Sequence, residues 1–207
     1  MAEILLENVS KIYNMGIRKN TVFSNINYEL TSNNIYFLIG SNGAGKSTLI
    51  KCILNLTRYN GKIVPSSNKI AYAPEKLLLP DYLTPAEFLL AIFKAKKYDD
   101  KKIKSDINKY FKLFEIEKYR DVNIVKLSKG TRQKVNLLQA IIEDADIYIF
   151  DEPLSGLDEN SKICFKKIIY NLKRKNKLII ISTHHLVDYH CRNKKIIEMG
   201  GVNGWTS

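Results

Sequence analysis

The chain has 207 residues, of which 45% are hydrophobic, with three cysteines and a formal net charge of +12. That length and apolar share can build one substantial core, while no apolar run approaches a membrane span. Met1-Ala2-Glu3 opens without the cationic segment and cleavage site of a secretory leader, so the chain is expected neither to cross a membrane nor to be exported. Cys52, Cys164 and Cys191 lack C-x-x-C or histidine-linked spacing, which argues against a metal cluster or a disulfide framework. The positive charge is mostly lysine, spread through 94–112, 166–177 and 194–195. It reads as a solvated surface, with attraction to an anionic membrane face as the second reading and no nucleic-acid partner expected.

Along the chain, Ile4-Leu5-Leu6 and the alternation of Ile26, Tyr28 and Leu30 predict an N-terminal antiparallel β portion. Ile35-Tyr36-Phe37-Leu38-Ile39 is a short run of buried-strand type. It leads into Gly40-Ser41-Asn42-Gly43-Ala44-Gly45-Lys46-Ser47-Thr48, and the segment through Leu54 continues as a helix. The central segment fits G-x-x-x-x-G-K-[ST]. An ordinary Gly-rich turn is the alternative, but strand, glycine loop and helix in that order favour a phosphate cradle. Glycines let the backbone N–H groups of Ser41, Asn42, Gly43, Ala44 and Gly45 turn inward around phosphate oxygens, and the helix presents its positive end. Lys46 then reaches the β- and γ-phosphates as a point charge, the Ser47 hydroxyl ligates Mg²⁺, and Thr48 continues the cradle into the helix.

From residue 80 to residue 143 helical patterns replace strands. Thr84-Pro85-Ala86-Glu87 is a capping box with proline at the first helical position. Ile103, Ile107, Tyr110, Phe111 and Phe114 keep helical spacing over 101–115, and Val135, Leu138, Ile141 and Ile142 mark a helix after Leu127. Strand character returns in Ile147-Tyr148-Ile149-Phe150-Asp151-Glu152. A carboxylate at the C-terminal end of a parallel strand sits at the ligand-binding edge, where Asp151 can hold the Mg²⁺ shell and Glu152 can orient or deprotonate an attacking water. A helix over 160–174 and strands over 178–182 and 195–199 complete an α/β core.

Leu127-Ser128-Lys129-Gly130-Thr131-Arg132-Gln133 resembles the L-S-G-G-Q signature of ATP-binding-cassette (ABC) ATPases, and further segments resemble that family in its order. Ser155-Gly156-Leu157-Asp158 is similar to its D-loop. Ser182-Thr183-His184 is similar to the switch histidine, with His184 as the γ-phosphate sensor and His185 as a bystander. Tyr13, in Leu6-Glu7-Asn8-Val9-Ser10-Lys11-Ile12-Tyr13, takes the place of the aromatic that stacks on adenine. Two departures stand out. Lys129 and Thr131 replace the usual glycine and glutamine of the signature, and Glu75, in Ile70-Ala71-Tyr72-Ala73-Pro74-Glu75, replaces the Q-loop glutamine as a candidate Mg²⁺ ligand.

The resemblance implies a P-loop NTPase core of ABC type, α/β, with an N-terminal antiparallel β portion and a helical insert, forming one domain over 1–207. Residues 1–75 and 144–207 would form the catalytic core and 76–143 a helical subdomain ending in the signature helix. It further implies ATP and Mg²⁺ as cofactors and a head-to-tail pair of cassettes. In each composite site Ser128, Gly130 and Asp158 come from a second ABC ATPase subunit. The function implied is that of the ATPase driving a separate membrane-spanning permease, located in the cytoplasm on the inner face of the cell membrane. The short insert and the Tyr-Ala-Pro-Glu form of the Q-loop resemble exporter-type cassettes. The alternatives are a soluble ABC ATPase acting on ribosomes or DNA and a non-hydrolysing nucleotide-gated module; no second cassette or long heptad insertion is present for the former, and both Glu152 and His184 are present against the latter.

Overall fold

Three adjacent strands in which both faces are apolar dictate the layering. A computed structural model describes residues 1–15, 18–184, 189 and 193–200. In chain order its main elements are β1 (Glu3–Met15), β2 (Arg18–Thr31), β3 (Ile35–Ile39), α1 (Lys46–Ile53), β4 (Asn60–Pro65), β5 (Ile70–Ala73), α2 (Pro85–Ala95), α3 (Asp100–Leu113), α4 (Lys129–Ile141), β6 (Ile147–Asp151), α5 (Glu159–Arg174), β7 (Leu178–Thr183) and β8 (Lys194–Glu198). Five strands form a parallel sheet in the order β5-β6-β7-β3-β8, and three form an antiparallel sheet in the order β2-β1-β4.

Side chains on a strand alternate between faces, and here each face has its own core. Phe37, Tyr148, Phe150, Ile179 and Ile181 point into a cluster shared with α2, α3, α4 and α5. Tyr36, Leu38, Ile147, Ile149, Leu178 and Ile180 point the other way, against α1 and the antiparallel sheet through Ile4, Leu6, Val9 and Phe23. Burial on both faces is the reason these strands read as continuous apolar runs.

The expected antiparallel portion is present, with Ile4 opposite Leu30 and Leu6 opposite Tyr28. Its third member, β4, carries no clear alternation and was not expected; neither was β5 as a strand. Boundaries moved by one or two residues: α3 begins at Asp100 and ends at Leu113 rather than spanning 101–115, because Asp99 caps its start through Lys102 N–H and Glu115 adopts a positive φ of 56°. Phe114 remains buried just past the helix end. The capping box of α2 is formed: Glu87 N–H donates to Thr84 Oγ1 at 3.3 Å and Thr84 N–H to Glu87 Oε2 at 2.9 Å. Thr84→Ala, which strips the hydroxyl half of this box, is expected to lower stability by about 1 kcal/mol, seen as a lower urea midpoint at unchanged slope.

Candidate nucleotide-hydrolysis site

The loop between β3 and α1 is where both sheets converge. Gly45 caps α1 with φ 100°, a left-handed conformation, and a Cβ there would lie 2.6 Å from Val22 Cγ1. A Cβ on Gly40 would meet the Met199 carbonyl oxygen at 2.3 Å. Neither position admits a side chain, so the backbone itself forms the wall of the cleft. That cleft, of about 140 Å³, is lined by residues 41–48 together with Glu75, Glu152 and His184. Lys46, buried to 6% exposure, donates to Gly40 O at 2.7 Å and Ser41 O at 3.3 Å.

Glu152 follows β6 with a φ of 48°, a conformation that costs a non-glycine residue about 1–3 kcal/mol. Its N–H is held by two acceptors on β7, Ser182 Oγ at 2.9 Å and Ser182 O at 3.2 Å. The Ser182 hydroxyl in turn donates to Asp151 Oδ1, and both side chains are buried. One serine thus orients both members of the Asp-Glu pair. Glu152 Oε1 lies 3.1 Å from His184 Nε2 and 3.7 Å from Lys46 Nζ, yet it is buried and makes no hydrogen bond. Burial raises the Glu152 carboxyl above its ordinary range, with His184 and Lys46 opposing the shift and Glu75 and Asp151 adding to it. His184 Nδ1 lies 3.1 Å from Gly40 O and 3.4 Å from Lys46 Nζ, and Nε2 faces Glu152.

Ser47, Glu75 and Asp151, the expected metal ligands, meet along a neighbouring cleft of about 490 Å³. Among the described residues no group of three or more His, Cys, Asp or Glu side chains could hold a metal ion. A hydroxyl plus carboxylates suits a hard cation that takes its remaining oxygens from water and phosphate, so the donor set fits Mg²⁺ bound with a nucleotide and not alone. The glycine walls and the Lys46 ammonium fit the phosphate end of that nucleotide.

Ser128, Gly130 and Asp158 form a second cluster and do not line the cleft. Ser128 caps α4, accepting from Thr131 N–H at 3.2 Å, and its hydroxyl lies 2.9 Å from Thr131 Oγ1. Thr131, in the place of the family's glutamine, is thereby turned inward and buried. A Cβ on Gly130 would lie 2.6 Å from Gly156 O, so this glycine lets the first turn of α4 pass close to the loop before α5. Asp158 Oδ1 caps α5 through Ser161 N–H at 2.8 Å and Oδ2 pairs with Lys134 at 2.7 Å. Both oxygens are engaged within the chain. Tyr13 stands apart, on β1 opposite Asn20 and 39% exposed.

Sequence reasoning misses Ser182 as an orienting residue and Gln133 and Lys134 as braces on α4; for the first, the hydroxyl that ends the all-apolar run Leu178-Ile179-Ile180-Ile181 within the same strand is the available signal. Cys52 and Cys164 are buried, and burial pushes each thiol up to about 11, away from the thiolate that metal or redox chemistry needs. His185, His190 and Cys191 lie outside the described residues.

A family model described as ABC transporter matches residues 23–155. The chain belongs to the ABC transporter ATP-binding family. An uncharacterized ABC transporter ATP-binding protein of Methanocaldococcus jannaschii is 32% identical over 200 residues, covering 96% of this chain and 75% of the relative. A zinc import ATP-binding protein of Buchnera aphidicola is 36% identical over 187 residues, with 88% and 74% covered. The chain spans 63% of the length of a Mycoplasma pneumoniae relative that is 29% identical over 204 residues. Among solved structures, the ATP-binding subunit of an ABC transporter superposes with a TM-score of 0.86 at 25% identity, covering 97% of this chain and 87% of that one. The ATP-binding cassette MJ0796, solved as a dimer in a post-hydrolysis state bound to ADP and Pi, shares the fold with a TM-score of 0.83 at 20% identity, covering 97% and 95%.

The hydrogen bond from Lys134 holds the Asp158 carboxyl at about 2, below an unperturbed 3.8, with Ser161 N–H adding to the effect and burial opposing it. A depressed folded-state value means that the pair stabilises the fold above pH 4 and that this contribution fades as pH falls towards 2. Asp158→Asn keeps a good helix cap but loses the ion pair. Because the Asp158 side chain is 56% exposed, the expected loss at pH 7 is only about 1 kcal/mol. Urea melts at pH 7 and pH 3 should show the gap between variant and wild type narrowing at the lower pH.

Proposed function

We propose that the chain is the ATP-hydrolysing subunit of a transporter, working as one of two cassettes that close head to tail around ATP and drive a separate membrane-spanning permease. The observation that carries this reading is Glu152 Oε1: a buried carboxylate oxygen without a hydrogen bond, set 3.7 Å from the Lys46 ammonium in a cleft walled by glycines. Such an oxygen suits a general base waiting for a water proton. In this reading residues 41–48 bind the triphosphate through backbone N–H groups, and Lys46 offsets the charge of its β and γ positions. Ser47 and Asp151, with Glu75, would hold Mg²⁺, which supplies charge neutralisation at the phosphate oxygens. Glu152 accepts the proton of the attacking water at Oε1, His184 Nε2 senses the γ-phosphate, and Tyr13 stacks on the adenine.

The separation of Ser128 and Gly130 from this cleft supports their acting on a partner's nucleotide. Asp158, with both carboxylate oxygens engaged in its own chain, would contribute across the pair through the position of its loop. No helix among the described residues is long and apolar enough to cross a membrane; in this reading the permease is a different chain and the cassette works at the cytoplasmic face of the membrane. Export is supported by the short insert between Glu75 and Lys126. Import is the second reading, supported by relatives named for zinc import in Buchnera aphidicola and Vibrio cholerae.

Glu152→Gln is expected to leave ATP affinity intact and to slow turnover by about 10²- to 10⁴-fold; unchanged hydrolysis would remove Glu152 as the base. Light scattering of this variant with ATP and Mg²⁺ should reveal a dimer that is absent without ATP. A persistent monomer that still binds ATP would instead mean a different chain as the second cassette. Ser128→Arg should keep nucleotide binding by the monomer while abolishing that dimer, and an unaltered dimer would count against Ser128 acting in trans.

A further inference from the structure

Lys11 is a buried cation with neutral partners. It is 6% exposed, and its ammonium donates to Thr57 Oγ1 at 2.9 Å and to Arg58 O at 2.6 Å. Its third neighbour is the ring of Tyr13, whose centroid lies 4.3 Å from Nζ. Withdrawing an ammonium from water is costly unless its surroundings repay it, so packing alone would favour an apolar side chain here. Tyr13, covered by the ammonium on one side, keeps 39% of its surface exposed.

We infer that Lys11 is a positioning residue for Tyr13, fixing its ring as a one-faced stacking platform and tuning that open face for a purine base. The inference rests on the reading of Tyr13 as the base platform. A cation is attracted to the negative face of an aromatic quadrupole, so the ammonium holds the ring plane and reserves the opposite face. By drawing π density towards itself it also favours stacking of an electron-rich purine on that face. Thr57 and Arg58 follow α1, the helix that starts at Lys46. Lys11 therefore ties the platform to the phosphate-binding element, whereas strand pairing of Tyr13 with Asn20 ties it only to β2.

Titration calorimetry of the full chain with ATP and with inorganic tripolyphosphate, both with Mg²⁺, separates base from phosphate recognition. Lys11→Gln keeps a neutral donor for Thr57 and Arg58 but removes the charge. It is expected to weaken ATP binding by about tenfold, within the span of a desolvated cation–π contact, and to leave tripolyphosphate binding unchanged. Lys11→Arg, which restores a stacking cation, should return ATP affinity close to wild type. Tyr13→Leu should also weaken ATP binding, and adding Lys11→Gln to it should cost nothing more. Wild-type ATP affinity in Lys11→Gln, an equal loss for both ligands, or a further loss on the Tyr13→Leu background would each overturn the inference. If Tyr13→Leu itself bound ATP as wild type does, the platform reading would fail, an outcome distinct from these. Tripolyphosphate binding doubles as a check of folding; if Lys11→Gln fails it, Thr57→Val, which removes one anchor of the ammonium, is expected to show the same base-selective loss on a smaller scale, and its absence would likewise overturn the inference.

Discussion

Where a side chain on Gly40 would begin, the Met199 carbonyl already sits, and where one on Gly45 would begin, Val22 does. The loop proposed to meet phosphate is thus clamped between the C-terminal edge of the parallel sheet and the antiparallel sheet laid over it. This clamp draws on both sheets. β3 and α1 alone would present the loop, but its backbone N–H groups would be free to reorient. Pressed from both sides, with Lys46 bridging the carbonyls of Gly40 and Ser41, the loop has little freedom left to lose when it binds an anion, and preorganisation of this kind is what electrostatic catalysis requires.

A second constraint operates across the sheet. Three carboxylates, Glu75, Asp151 and Glu152, line the two adjoining clefts, and two of them are mutually repulsive neighbours in sequence. Asp151 is held by the Ser182 hydroxyl, and the left-handed backbone of Glu152 is held by the same residue's hydroxyl and carbonyl. Ordinary strand geometry would have sent consecutive side chains to opposite faces. The positive φ at Glu152 breaks that alternation, so Asp151 lines the cleft beside Ser47 while Glu152 lines the cleft beside Lys46. The strain is local, and the two hydrogen bonds that Glu152 N–H donates to β7 offset it.

How far all this was legible in the sequence depended on the kind of pattern involved. β3 was read to the residue, because an apolar run flanked by polar residues on one side and glycine on the other has sharp ends. The capping box at Thr84 and the helix it starts were legible for the same reason: the signal is local. β4 was not, since Asn60-Gly61-Lys62-Ile63-Val64-Pro65 has neither alternation nor strong β-propensity and forms only by pairing with β1. The contents of the phosphate cleft were legible because fixed spacing encodes them, whereas Ser182, Lys134 and Lys11 were not. Their roles depend on partners 31, 24 and 46 residues away, and nothing in one linear chain marks those partners.

The second cluster shows how a local cap can carry long-range information. Ser128 starts α4, and further along the same helix Gln133 donates to Pro153 O at 3.1 Å and Asn136 to Pro74 O at 2.8 Å. These carbonyls belong to the residues flanking Glu152 and Glu75, on the far sides of β6 and β5. Helix α4 is therefore bolted at two points to the segments that line the cleft of its own chain, while its N-terminal cap lies outside that cleft. An α-helix of 13 residues is a rigid rod of about 20 Å. Any shift of the backbone at Pro74 or Pro153 must either break a buried hydrogen bond, at about 1–3 kcal/mol for the group left unpaired, or carry Ser128 and Gly130 with it. The second course strains the Lys134–Asp158 pair and the close approach of the first turn of α4, at Gly130, to Gly156 O. In the proposed pair, this one helix would link the cleft of its own chain to the signature offered to the other.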